Sequence, residues 1–247
     1  MSLSSSYLTV PAQRPQSSWP ARSAFQALDD VADAEHLVQL YETEPYMIAC
    51  VSRFLGASLR AGGGAFVVTT PAHREAIEAA LDLEEICVGA ASRRGQYVAV
   101  DAERTLDSLG ADGNTNAAAF RHRVGKRLGE LSRRWRHVRV FDETDAILWR
   151  EGRHGDAAAL EREWNAARRR HRFVRLSTYP TCGLSDDFAR AAFARLCAGA
   201  VRVLPPQRSI GPGVLRALRA PRGAPPASTR LRGSRGRADA TREAAAR

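Results

Sequence analysis

The chain is predicted to be an α/β protein, with a mostly parallel sheet of about five short strands between two layers of helices. Three observations predict this. Apolar runs of four to six residues recur at 37–41, 65–69, 97–100, 138–141 and 173–178. Stretches with a 3.6-residue apolar period separate these runs. Strands that alternate with helices need crossover connections, and crossovers build parallel sheets covered on both faces.

The elements follow in order. Residues 1–32 are rich in Ser, Pro, Ala and Gln, lack sustained periodicity, and read as a mobile leader. Leu37 to Tyr41 is the first strand. Pro45 suits the first turn of the next helix, whose face is Met47, Cys50, Val51, Phe54, Leu55 and Leu59. Gly62, Gly63 and Gly64 stop it. Ala65 to Thr69 is the second strand. Thr70 and Pro71 form a cap and first position for a helix that buries Ile77, Ala80 and Leu81. Tyr97 to Val100 is the third strand, ending at Asp101. A short helix carries Leu106 and Leu109, and a longer one runs from Ala117 to Trp135 on Phe120, Val124, Leu128 and Leu131.

The stretch from His137 to Pro180 follows. It holds a strand (Val138 to Phe141), the acids Asp142 and Glu143, a short helix with Trp149, and a second helix with Leu160, Glu161, Trp164 and Asn165. A strand from Phe173 to Thr178 then leads to Tyr179 and Pro180. Ser185, Asp186 and Asp187 open a last helix on Phe188, Ala192 and Leu196. The expected organisation is therefore the leader, a domain at 33–208, and a disordered basic tail at 209–247.

Charge separates the tail from the body. Of the net +10, residues 201–247 carry +9, from 11 Arg against Asp239 and Glu243, so the rest is close to neutral. Lys126 is the only lysine. The cysteines Cys50, Cys87, Cys182 and Cys197 form no C-x-x-C pair, so neither a metal site nor a disulfide framework is expected. There is no secretory start and no run of 18 apolar residues, which predicts a cytoplasmic protein without membrane contact.

Parallel strands deliver their carboxyl ends to one edge, where ligands of open α/β sheets bind. Those ends are Tyr41, Thr69 with Thr70, Asp101, Asp142 with Glu143, and Tyr179. A phosphate-binding loop is missing there: Glu42, Thr43, Glu44 and Pro45 follow the first strand, without the glycines and lysine of G-x-x-x-x-G-K-[ST]. The run from Val138 to Glu143 has the letters of a Walker B strand, whose acid helps hold Mg²⁺. A strand running into an acidic helix start gives the same letters for structural reasons. No histidine pair has metal-ligand spacing, and Gly-x-Ser-x-Gly is absent, so no catalytic residue is assigned.

His36 and Tyr41 are an odd five residues apart and should face opposite sides of the sheet. Tyr41 reads either as a ligand contact at the carboxyl edge or as a strand-end core tyrosine. For His36 a structural hydrogen bond is expected. Trp149, Glu151, Glu161, Trp164 and Asn165 read either as a bulky helix–sheet interface with solvated acids or as an apolar pocket walled by indoles, to which Glu143 offers a carboxylate. Under the second reading Tyr41 or an arginine is the donor to Glu143.

Several pieces together resemble the MEDS domain, the methanogen/methylotroph sensory domain named from the DcmR regulator. These are His36-x-x-x-x-Tyr41, Ala61-Gly62, Thr70-Pro71-x-His73, Asp101-Ala102, Val138-Arg139-Val140-Phe141 with Glu143, Leu148-Trp149-x-Glu151-Gly152, Leu160-Glu161-x-x-Trp164-Asn165 and Tyr179-Pro180. The resemblance implies a RecA-like (Rossmann-like) three-layer sandwich that has lost its phosphate loop. It also implies sensing of small molecules in front of histidine kinases or DNA-binding domains. Asp142 departs from the glycine usual in that family, Thr144 and Asp145 from an apolar pair, and Ser177 and Thr178 from Cys-Ala. These departures make the expected pocket more polar.

The expectation is a non-catalytic sensory module without a cofactor. It would bind a small organic ligand through Tyr41, Glu143, Trp149, Trp164, Tyr179 and His36, and signal to a histidine kinase or regulator. One alternative is nucleic-acid binding through the basic tail, by charge alone, since no aromatic residue follows Phe193. The other is a degenerate nucleotide-binding, ATPase-like protein.

Overall fold

A computed structural model describes residues 28, 31, 35–109, 116–184, 193–194 and 202–204. The predicted leader, apart from its residues 28 and 31, and the predicted basic tail lie outside the described residues, as does most of the helix expected to open at Ser185.

Six parallel strands form one sheet in the order β3-β2-β4-β5-β1-β6. They are β1 (His36–Tyr41), β2 (Gly64–Thr69), β3 (Tyr97–Asp101), β4 (Val138–Asp142), β5 (Val174–Pro180) and β6 (Arg202–Val203). Five are the predicted strands. The sixth, two residues long beside β1, carries too short an apolar run to be visible in sequence; it pairs Leu37 with Arg202 and Val38 with Val203.

Three helices cover one face: α1 (Glu44–Arg60), α2 (Pro71–Leu83) and α3 (Val88–Arg93). Met47, Cys50, Val51, Phe54 and Leu55 of α1, with Ile77 and Leu81 of α2, pack there on Leu37, Ala65, Val67, Phe141 and Leu176. Only α3 is new relative to the sequence expectation, being a six-residue helix with little apolar periodicity.

The other face is covered by α4 (Ala102–Leu109), α5 (Ala117–Phe120), α6 (Lys126–Arg134), α7 (Thr144–Arg150) and α8 (His154–Arg170). The single helix expected from Ala117 to Trp135 is broken by a π-helical turn at Arg121–Gly125. A π turn inserts an extra residue, and the buried series Phe120, Val124, Leu128 and Leu131 still meets the sheet across it.

Alternation along the strands decides which core each side chain joins. Leu37 and Tyr41 enter the α1–α2 core, whereas Val38 and Leu40 enter the α6–α8 core. His36 and Tyr41 accordingly face opposite sides, as their spacing predicts.

Backbone demands set two turns. Gly62 has a φ of 73°, a left-handed conformation that glycine adopts without steric cost. At Gly63 a Cβ would run into the His137 carbonyl and the Ser58 hydroxyl, so the α1–β2 junction admits only a hydrogen there.

The crossovers place a topological switch point between β2 and β4. From β2 the chain passes over the α2 face to the sheet end at β3. From β4 it passes over the α7–α8 face in the other direction, to β5. The connections that leave the carboxyl ends of β2 and β4 therefore diverge, and the crevice where such sheets hold ligands lies between them.

Candidate functional site

Glu143 follows the last residue of β4 at this crevice. Its backbone N–H donates to the Val68 carbonyl at 3.1 Å, which continues the ladder one step past the strand. Its side chain, only 5% exposed, turns toward the first turn of α2. The Thr70 N–H donates to Oε1 at 2.6 Å, and His73 Nδ1 donates to Oε2 at 2.6 Å. Thr70 is also the N-cap of α2, its hydroxyl accepting from the His73 N–H at 3.4 Å. One carboxylate thus satisfies a helix-terminal donor and orients an imidazole.

Electrostatics follow from these contacts. Burial alone would raise the Glu143 pKa, but the His73 contact and the Thr70 N–H outweigh it and hold the pKa below its ordinary value. The same hydrogen bond raises the pKa of His73, against its partial burial. His73 Nε2 is left toward Glu44, whose Oε1 is 3.9 Å away. Tyr41 belongs to the same cluster. Burial raises its phenol pKa against the pull of the exposed Arg150, and Glu143, Glu44 and Cys182 add to the rise.

The carboxyl edge is stepped. Ser177 pairs with both Asp142 and Val38, so β1 continues three residues beyond the level at which β4 ends. At about 3.3 Å per residue, Tyr41 stands roughly 10 Å further along the sheet than Asp142.

Beside this edge an open groove of about 580 Å³ runs between α1 and α2. Pro45, Ile48 and Ala49 line one side; Ala72, Ala76 and Ala80 line the other. Glu44 and His73 are its polar members. An apolar trough with few polar groups is the form expected of small-molecule sites.

The expected site residues divide among three places. Tyr41 and Glu143 lie at the carboxyl edge, but behind the groove rather than along it. The donors to Glu143 are Thr70 and His73, which corrects the expectation of Tyr41 or an arginine. Trp149 and Tyr179 lie on the opposite face, both buried in the α6–α8 core. Trp149 stacks on His154 with centroids 4.2 Å apart, and Phe193 meets the rings of both Trp149 and Tyr179 edge-on. The two indoles therefore do not wall a pocket with Glu143; they fill the helix–sheet interface.

Trp164 and His36 belong to a buried ionic network. Arg175, 2% exposed in mid-strand, donates to Glu161 at 2.6 Å, to Asp142 at 3.1 Å and to Asp145, and lies over the Trp164 ring at 4.8 Å. His36 Nε2 contacts Ser177 Oγ at 3.1 Å, and its Nδ1 is 3.3 Å from Glu161. Asn165 donates to Glu161 at 3.0 Å. Glu161 is thus not a solvated acid, as the interface reading supposed. Burial raises the Asp145 pKa well above the ordinary range against the pull of Arg175, with Asp142 and Glu161 adding to the rise. His36 is lowered, first by burial and then by Arg175. Asp142, Asp145 and Ser177, three of the departures from the family pattern, all join this one network.

The network also decides the Walker B resemblance. Asp142 is fully buried, with Oδ1 accepting from the Thr144 N–H and hydroxyl and Oδ2 from Arg175. Between β1 and α1 stand only Glu42 and Thr43, too few residues to wrap a phosphate.

Sequence reasoning passed over His73 as a site residue. The available signal was Thr70-Pro71-x-His73 directly after a strand: a capped helix start carries its third residue over the carboxyl edge. Arg175 had a signal too, a lone cation within the apolar run of β5.

All-parallel strands, helices on both faces and a polar cluster at the switch point define a Rossmann-like three-layer sandwich. A family model described as "MEthanogen/methylotroph, DcmR Sensory domain" matches residues 35–195. The chain belongs to this family, MEDS, and is a sensory-domain protein. A search of the curated proteins finds no match.

Proposed function

We propose that this protein senses a small organic molecule in the α1–α2 groove and reports it through β4. The observation that carries the reading is the link from His73 to Glu143, which joins the groove to the switch point. The ligand's apolar part would lie along Pro45, Ile48, Ala49, Ala72 and Ala76. As an imidazolium, the form that the Glu143 contact favours, His73 would offer Nε2–H to an acceptor atom on it. Glu44 nearby disfavours an anion, which selects a neutral acceptor such as a carbonyl or hydroxyl.

The path of the signal follows from the chain itself. Glu143 faces α2, and its neighbour Asp142 faces Arg175 on the other side of the sheet. A ligand that draws on His73 changes the charge seen by Glu143, and so the start of α7. A response requires that the ligand bind one arrangement better than the other. Chemistry on the ligand is no part of this reading, which rests on binding alone.

The test is a fragment screen against the full chain. Small neutral molecules with one hydrogen-bond acceptor are added, and backbone amide and isoleucine-methyl NMR shifts are followed. Fragments should perturb Ile48, Ala76 and His73, and Ala76→Trp, which fills the groove, should abolish those perturbations without lowering Tm. Perturbations confined to residues near Trp149 or Trp164, or none at all, would overturn the proposal.

A further inference from the structure

β3 ends the sheet, and among the described residues no strand pairs with its outer edge. Such an edge presents unpaired backbone N–H and C=O groups, a ready template for another chain. Val98 and Val100, two residues apart and half buried, share one face of β3 and form a floor.

Along that floor lie two adjoining hollows of about 410 and 310 Å³. Their wall is the π turn and α6, through His122, Arg123, Lys126, Arg127, Glu130 and Arg134. All six are exposed. Arg123, Lys126 and Arg127 form no ion pair among the described residues, and Lys126 is the only lysine of the chain. Strand edge and basic wall therefore run side by side, open to solvent.

We propose that this edge and its basic wall dock an extended, acidic segment of a partner protein, added to the sheet beside β3. Backbone pairing with β3 would supply affinity, and alternate side chains would reach Arg123, Lys126, Arg127 and Arg134. Charge selects the occupant. A second copy pairing edge to edge would bring two basic walls together. The chain's own tail at 209–247, at +7, is repelled for the same reason. A nucleic-acid strand fits less well: Glu130 interrupts the cations, and the nearby Trp135 indole is tied by its N–H to the Gly95 carbonyl at 3.0 Å. This surface lies on the face opposite the α1–α2 groove, so it does not depend on the ligand reading.

The test uses the full chain and fluorescein-labelled peptides of alternating Val and Glu, about ten residues long, in about 0.15 M salt. Fluorescence anisotropy should show saturable binding of the Val-Glu peptide and none of a Val-Lys peptide. Arg123→Glu with Arg127→Glu should weaken binding about tenfold or more, with Tm unchanged. The tail is the same in both proteins and cancels. Peptides N-methylated at every second residue come in two phases. One phase should lose binding and the other keep it, because only alternate N–H groups face β3. Equal affinity of the two phases, or no loss on charge reversal, would overturn the proposal. So would displacement of the peptide by a single-stranded oligonucleotide of higher affinity, or a dimer abolished by the same substitutions.

Discussion

His73 Nδ1 lies 2.6 Å from Glu143 Oε2, which joins the first turn of α2 to the residue that closes β4. This contact couples two elements that the chain places 70 residues apart. It also fixes the imidazole so that only Nε2 remains for other partners.

The contact predicts a pH window. The folded-state pKa of His73 lies above its ordinary 6.5, so its contribution is whole below 6.5 and fades as pH rises through the folded value. That of Glu143 lies below its ordinary 4.5, so its contribution is whole above 4.5 and fades as pH falls through the folded value. The pair stabilises most between 4.5 and 6.5. His36 acts in the opposite sense as pH falls, because its pKa is lowered. The comparison of wild type with His73→Gln isolates the pair: their difference in Tm should shrink from about pH 6 to about pH 9. A difference that grows over that range contradicts the assignment.

Arg175 holds three buried carboxylates, and removing it strands them. Arg175→Met should cost about 3–5 kcal/mol in urea unfolding. Asp145 behaves differently. Its raised pKa means that its carboxyl favours the fold below its ordinary 3.8 and loses that contribution as pH rises through the folded value. Asp145→Asn should therefore raise Tm at neutral pH, by about 2–4 °C per kcal/mol gained, and the gain should vanish near pH 4. It should also recover part of the loss in Arg175→Met, the two side chains being partners. Strictly additive effects would remove the network from the account.

At the α1–β2 junction Gly63→Ala should destabilise by about 1–3 kcal/mol through overpacking. Thermal unfolding would show it. A neutral result would mean that the His137 carbonyl yields easily and that the turn is looser than described.

The nucleotide alternative has its own test. Asp142 is committed to Arg175 and Thr144, so Mg²⁺ with ATP should leave Tm unchanged, as should GTP. Micromolar ATP binding lost in Asp142→Ala would overturn the sensory reading.

Five strands and the two helices that flank β2 were legible in the sequence because each carries its own period: apolar runs for strands, the Met47 to Leu59 stripe for α1, Thr70 and Pro71 for the start of α2. The π turn was not, since Phe120, Val124, Leu128 and Leu131 keep spacings that an unbroken α-helix also satisfies. Glu143 was legible as an acid at a carboxyl edge. Its partners were not: which of His73, Tyr41 and Arg150 reaches it depends on the step between β4 and β1 and on the tilt of α2. Trp149 and Trp164 misled for a physical reason. Large aromatic rings beside acids describe a pocket and a bulky interface equally well, and here Arg175 draws the acids inward to make an interface. The placement of Asp142, Asp145, Glu161 and His36 around one guanidinium is a tertiary fact, with the single cation in β5 as its only trace in the sequence.

The most direct measurement follows the His73 imidazole by NMR while a groove-binding fragment is titrated into wild type and Glu143→Gln. The fragment should shift the His73 ring resonances in wild type. Glu143→Gln, which keeps the shape and removes the charge, should weaken the fragment about tenfold or more. Fragment binding that leaves the His73 resonances unmoved, with equal affinity in both proteins, would contradict the sensory reading.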